Sequence, residues 1–188
     1  MSQETREIDG VTMPPAGKYE LDVAHTEVGF VARHMLTKVR GRFTDFSGFI
    51  EVGERPEDSH VEVEVKTDTV QTNWQQRDDH LRSADFFESE EYPVMTFRSS
   101  AIRHTGGHNF ELDGDLTVRD VTRPLTLQGE FFGWGKDPFD NTILSAEANA
   151  VVEREDWDLT WNVAVETGGF LVGKRVDLVI SVEARKVG

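Results

Sequence analysis

Three runs in this chain alternate apolar and polar residues one by one, and that period of two is its strongest constraint on folding. In "HVEVEVKTDTV" Val61, Val63, Val65, Thr67 and Thr69 point one way, while Glu62, Glu64, Lys66 and Asp68 point the other. "NFELDGDLTV" sets Phe110, Leu112, Leu116 and Val118 against Glu111, Asp113 and Asp115. "RVDLVISVEA" aligns Val176, Leu178, Ile180 and Val182 on one side. Successive side chains of a strand leave by opposite faces, so each run is a strand with one dry and one solvated face. Such strands belong to antiparallel sheets.

Turn signals separate the runs: Gly41, "GERPED" at 53–58, "HTGGH" at 104–108, "RDVTRP" at 119–124 and "GKDPFDN" at 135–141. Between them lie eight candidate strands, near 18–35, 42–52, 59–70, 93–104, 108–119, 123–135, 142–156 and 174–186. The first is long and expected to bend near Ala24–His25. Eight antiparallel strands close into a barrel or pack as a sandwich, and long strands joined by simple turns favour the barrel. The expected fold is therefore all-β, an eight-stranded antiparallel barrel. One helix, at about 73–85, is inserted between strands, and a long aromatic loop covers 157–173. A chain of 188 residues makes one domain, here 17–188, after a polar lead-in over 1–16 that is expected to be mobile.

Charge narrows the function. Twenty Lys and Arg stand against 35 Asp and Glu, a formal −15, which argues against a nucleic-acid partner and disfavours attraction to an anionic membrane. Local basic spots can still bind a small anion. Without cysteine there is no disulfide, thiolate catalysis or thiolate metal site. His104 and His108 fit an exposed hairpin turn better than a metal pair, so no metal site is expected. Neither a phosphate-binding glycine loop nor a G-x-S-x-G elbow is present, and no enzyme signature stands out. The start, "MSQETREIDGVTMPPAG", lacks the apolar core of a signal peptide, and no apolar run reaches the ~20 residues of a membrane span. The expected location is cytoplasmic.

The helical stretch "NWQQRDDHLRSADFF" has two readings. Thr72 or Asn73 caps it, Trp74, Arg77, Leu81 and Ala84 share a face with His80 beside them, and Asp78 and Arg82 form an outward pair. Arg77 and His80 then stand over a pocket mouth, facing a polar head. Alternatively, Leu81, Phe86 and Phe87 plug the barrel and Arg77 pairs with a carboxylate. The interior is equally open. An eight-stranded barrel can be filled by side chains or hold one small ligand. Ala146, Ala148, Ala150, Gly114 and Gly129 fall on inward parities, beside the rings of Phe30, Phe43, Phe46, Phe49, Phe97 and Phe131. That pattern suits an open channel or a flattened, closed one. Arg33 and His34 in "ARHM" are adjacent, so only one can face the lumen. "REDW" at 154–157 reads as a solvated corner.

Five segments carry a resemblance: "GKYELDVAHTEVGFVARHM", "VRGRFTDFSGFI", "TNWQQRDDHLRSADFFESEEYPVMTFRS", "GDLTVRDVTRPLTL" and "VDLVISVEA". Together they resemble the YceI-like family of polyisoprenoid-binding proteins from about residue 17 to 186. The longest match is T-N-x-x-x-R-D-x-H-L-R-S-x-D-F-F followed by Y-P-x-M-T-F. Asp158 stands where a small residue is expected after "REDW". The resemblance implies a lipocalin-like barrel, often a homodimer, holding a long prenyl chain in an apolar tunnel. Arg77, His80 and Leu81 belong to the family's helix motif, and His25, Arg33 and His34 to its first-strand motif.

The expected function is binding, transport or storage of a polyisoprenoid such as a quinone or prenyl phosphate, with no cofactor and no chemistry. Phe30, Phe43, Phe46, Phe49, Phe97 and Phe131 would line the tunnel. Trp74, Leu81, Phe86, Phe87 and Trp161 would complete it, and Arg77, His80, Arg33 and His34 would meet the head group. Two rivals remain: an enzyme on an isoprenoid-type lipophile with His80 or His25 as general base, and a dry barrel serving as a protein-interaction module.

Overall fold

The computed structural model describes residues 6–188. A short hairpin, β1 (Glu7–Ile8) and β2 (Val11–Thr12), precedes β3 (Gly17–Leu21), β4 (Glu27–His34), β5 (Thr37–Phe43), β6 (Phe46–Val52), β7 (His60–Lys66) and β8 (Val70–Gln71). Helix α1 (Gln75–Arg82) follows, and then β9 (Val94–Gly106), β10 (Asn109–Val118), β11 (Val121–Lys136), β12 (Thr142–Glu153) and β13 (Val172–Lys186).

The strands form a closed eight-stranded antiparallel barrel with one short helix. Its ring runs β12, β11, β10, β9, β7, β6, β3, β13, and the pairing of β12 with β13 closes it. Closure leaves no free edge around that ring. The first expected strand is indeed bent: β3 and β4 are its two halves, joined by a turn at 23–25. β13 spans the bend, pairing with β3 through Ala184–Lys186 and with β4 through Val172–Ser181. From β4 the sheet continues as an arm through β5 to β8.

Gly41, read as a turn, lies inside β5 opposite Phe30, and the chain reverses at Met35–Leu36 instead. Phe30 explains the glycine, because its ring occupies the space a β-carbon would need. The same device recurs twice. The ring of Phe97 lies over Gly114, and that of Phe110 over Gly129. The space at these inward glycines is therefore filled by aromatic rings rather than left open.

The helix is shorter than expected and is capped differently. Trp74, not Thr72 or Asn73, holds the N-cap position and makes no side-chain cap bond. Asp78 turns inward, accepting hydrogen bonds from the Thr72 amide at 2.8 Å and the Thr72 hydroxyl at 2.5 Å. The outward Asp78–Arg82 pair does not form; Arg82 pairs with Asp79 at 2.7 Å.

Of the lead-in expected over 1–16, residues 1–5 lie outside the described residues. The remainder is built against the barrel. Arg6 donates to the carbonyls of Gly53, Glu54 and Pro14 at 2.7, 2.6 and 2.5 Å, pinning the β1–β2 hairpin to that end. Beside it, fully buried Tyr19 donates to the Pro15 carbonyl at 2.8 Å, and burial pushes its phenol up to about 12.

Candidate functional site: an apolar cavity along the barrel axis

The alternating strands turn their dry faces to a common lumen. Val61, Val63 and Val65 from β7, Phe110, Leu112, Leu116 and Val118 from β10, and Val176, Leu178, Ile180 and Val182 from β13 all border it, as their parity requires. Ala146 and Ala148 of β12 leave room opposite the rings. The cavity holds about 400 Å³ and is bounded almost wholly by carbon. That volume falls within the range of small-molecule pockets. It is also long: lumen positions on β13 alone run from Val172 to Val182, about 33 Å along a strand.

Each end has its own cover. At one, Ile8, Val11, Met13 and Pro14 of the hairpin face the cavity beside His104, His108 and Asn109 of the β9–β10 turn. Both histidines are engaged there, His104 Nε2 with the Gly107 carbonyl at 2.8 Å and His108 Nδ1 with the Phe131 carbonyl at 2.6 Å. At the other end stand Leu81, Phe86 and Phe87, with Trp157 and Leu159 from the start of the long loop. The indole of Trp157 is buried and donates to the Leu116 carbonyl at 2.8 Å.

Among the residues expected to form the tunnel, Phe30, Phe43, Leu81, Phe86, Phe87, Phe97 and Phe131 border the cavity. Four do not. Phe46 shares the inward parity of β6 but is buried in a cluster with Phe43, Val65 and Val70 and does not border the cavity. Phe49 points outward, its ring 5.6 Å from that of His60 and under Lys18 Nζ at 4.4 Å. It lies three positions after Phe46, an odd step, so the two take opposite faces. Trp74 is 56% exposed and lies beneath the Arg77 guanidinium. Trp161 packs against His80 and Phe86 without reaching the lumen.

None of the four expected head-group residues borders the cavity. Arg77 folds back on its own helix entrance, donating Nε to the Thr72 hydroxyl at 2.7 Å and Nη2 to the Thr72 carbonyl at 2.8 Å. His80 Nε2 meets Asp85 Oδ2 at 2.8 Å, its ring edge-on to Phe86 and Trp161. Arg33 is exposed on the outer face, and His34, partly covered, pairs with Val172. Of the helix-motif side chains, only the apolar Leu81, Phe86 and Phe87 border the cavity. His25 lies at the bend outside, bonded to Asp22 Oδ2 at 3.0 Å.

The cation that does border the cavity is Arg154, read from the sequence as part of a solvated corner. It is 5% exposed. Its guanidinium donates to the carbonyls of Gly173, Leu159 and Val172 at 2.9, 2.5 and 3.5 Å, and no carboxylate pairs with it among the described residues. Burial lowers its pKa, with Glu155 opposing. Trp157 supplied the missed signal, since an indole needing cover draws the whole turn inward. Asp158 closes that turn in the left-handed region at φ 58°, a conformation a short polar side chain tolerates, which accommodates the departure seen there.

Asp22, His25 and Glu183 bring three ligand-type atoms within 4.8 Å of one another. Asp22 is already used in the bend, accepting from the Ala24 amide and from His25. The cluster thus has a structural role in fixing the β3–β4 corner.

Comparison with known proteins agrees with this architecture. A YceI-like domain model matches residues 19–184. Protein YceI of Escherichia coli is 35% identical over 172 residues, covering 89% of this chain and 86% of that protein. The crystal structure of the Campylobacter jejuni YCEI protein superimposes with a TM-score of 0.72 at 26% identity, covering 81% of this chain and 88% of its own. A polyisoprenoid binding domain from Saccharophagus degradans, implicated in plant cell wall breakdown, has the same fold with a TM-score of 0.67 at 13% identity, covering 92% and 100%. Over nearly its whole barrel, the chain belongs to the YceI-like family.

Proposed function

We infer that the protein binds and carries a long-chain isoprenoid lipid without altering it. The observation that supports this reading is the cavity itself, elongated, about 400 Å³ in volume and walled by carbon from strands all round the barrel. A guest there is held by transfer of apolar surface from water. Each buried CH₂ contributes roughly 0.8 kcal/mol, so a five-carbon isoprene unit offers about 3–4 kcal/mol before ordering costs. Phe30, Phe97 and Phe110, seated over Gly41, Gly114 and Gly129, offer aromatic surface against which a branched chain packs. The polyisoprenoid-binding relative of the same fold supports the same guest class.

Arg154 sets the direction of the guest. A buried guanidinium with three carbonyl partners and, among the described residues, no carboxylate in an ion pair has its charge only partly offset by Glu155, which favours an anionic or strongly dipolar head at that end. A prenyl phosphate or a quinone carbonyl meets this need. The histidines expected for a general base, His80 and His25, lie off the cavity.

Native mass spectrometry of protein purified without detergent, followed by organic extraction, tests the reading. One intact prenyl lipid released per chain is expected. A protein that carries none and takes up neither added prenyl quinones nor prenyl phosphates would refute it.

A further inference from the structure

The cations of this acidic chain are unevenly placed. Between residues 33 and 42 there are four Arg or Lys and no carboxylate. The pairing of β4 with β5 sets Arg33 beside Lys38, Val31 beside Arg40 and Gly29 beside Arg42. Phe30, Ala32 and Phe43 of these strands face the lumen, so Arg33, Lys38, Arg40 and Arg42 share the outer face. All four are exposed. Arg33, Lys38 and Arg40 make no ion pair among the described residues, and Arg42 meets only the Gln71 side-chain oxygen, at 3.2 Å. Lys174 and Arg175 extend the basic patch on β13, adjoining His34 and Ala32 through the pairings of Val172 and Val176. They meet Glu155 at 3.0 Å and Asp177 at 3.7 Å.

At the tip of this patch two apolar turns lie side by side. Leu36 is 91% and Met35 51% exposed in the β4–β5 turn. Next to it, residues 163–171 fold back on themselves with Ala164 bridged to Phe170, and Phe170 is 58% and Val163 47% exposed. The Met35 amide donates to the Leu171 carbonyl at 2.8 Å, tying the two turns together. Glu166 is the single acid between Leu159 and Val176.

We propose that this end of the barrel docks on an anionic lipid surface. Met35, Leu36 and Phe170 enter the interfacial layer, and Arg33, Lys38, Arg40 and Arg42, joined by Lys174 and Arg175, meet the headgroups. Apolar tips bordered by cations are the composition of interfacial membrane binders. A nucleic-acid surface has no use for the exposed Leu36 and Phe170. A second copy is disfavoured as well. β5 is paired on its far side only at Arg42 and Phe43, and antiparallel addition of its own image would set Lys38, Arg40 and Arg42 against like charges. The formal −15 does not oppose docking at contact, because charges beyond about 8 Å are largely screened at physiological salt. Arg154 bonds Val172 and Gly173 at this same end, so the docked tip is also the polar end of the cavity. Docking itself does not depend on what the cavity holds.

Sedimentation of the full chain with phosphatidylglycerol–phosphatidylcholine vesicles, against pure phosphatidylcholine vesicles, tests this. Pelleting with the anionic vesicles alone, reversed by added salt, is the expected result. Lys38→Glu with Arg40→Glu should lower partitioning by about tenfold or more, at a few-fold per basic residue. Leu36→Ser with Phe170→Ser should weaken it too while keeping the salt dependence. All four positions are exposed, so unchanged unfolding midpoints will show that the variants fold. Absence of pelleting, equal pelleting with neutral vesicles, or wild-type partitioning by both variants would overturn the proposal. So would a dimer in sedimentation equilibrium that the charge reversals dissolve.

Discussion

The ring of Phe30 on β4 lies against the bare α-carbon of Gly41, its direct partner on β5, so tightly that a β-carbon at Gly41 would collide with three ring atoms. This contact fixes both the wall and the space beside it. Gly41→Ala must drive the ring into the lumen or strain β5. A loss of about 1–3 kcal/mol is expected from urea unfolding, with reduced lipid capacity. Phe30→Ala in the same chain should remove much of that strain, giving a double-mutant coupling of opposite sign to the single effect.

Phe131 borders the cavity and packs with Leu144, Tyr19 and Val52 near the hairpin end. Phe131→Asp sets a carboxylate into an otherwise carbon-lined space without touching the β11–β12 backbone pairing. Lipid uptake should be abolished while far-ultraviolet circular dichroism still reports a folded barrel. Retained uptake in a folded variant would remove Phe131 from the tunnel.

Arg154 ties the start of the long loop to the start of β13 through Leu159, Val172 and Gly173. Arg154→Met keeps the bulk and loses the donors. Hydrogen bonds from a charged group are each worth about 1.5–3 kcal/mol, so a loss of at least about 2 kcal/mol is expected. Hydrogen exchange should accelerate first in 159–173. If Arg154 also orients the guest, the same variant will favour uncharged prenyl chains over prenyl phosphates in competition.

The Asp22–His25 contact gives the fold a pH signature. The hydrogen bond from His25 holds the Asp22 carboxyl below its ordinary 3.8, and the same bond, with the charges of Asp22 and Glu183, raises His25 above 6.5. A raised histidine stabilises fully below 6.5 and loses that contribution as pH climbs through its folded value. A lowered carboxylate stabilises above 3.8 and loses it as pH falls through its folded value. Both contributions are present together between about pH 4 and 6.5. In Asp22→Asn the His25 titration followed by NMR should fall back toward 6.5, and Tm should vary less between pH 6 and 8.

The barrel could be read in the sequence because period-two alternation depends only on neighbouring residues. The inward sets on β7, β10 and β13 follow from it directly, and the length of the first expected strand pointed to the bend near Ala24–His25. What failed were inferences that needed a partner across the sheet. Gly41 carries a turn residue's identity but was selected by a ring eleven positions earlier, which no local pattern reveals. Phe49 was grouped with Phe43 and Phe46 by composition although its parity opposes Phe46. Arg77 and His80 have the chemistry of ligand contacts, yet their bonds go to Thr72 and Asp85, five residues away in each case. Arg154 looked solvated because its partners are main-chain carbonyls, which leave no mark in a sequence.

The carbon wall of the lumen also bears on what a carrier of the proposed kind could count. Between its ends the wall offers almost no polar surface, so a chain sliding along it would meet nearly the same environment at every step. Only the two stoppers, the β1–β2 hairpin and the Phe86–Trp157 end, interrupt that sameness. A carrier of the proposed kind would grade its contents by length, as a sheath grades blades, and leave their chemical identity to be judged at the tip.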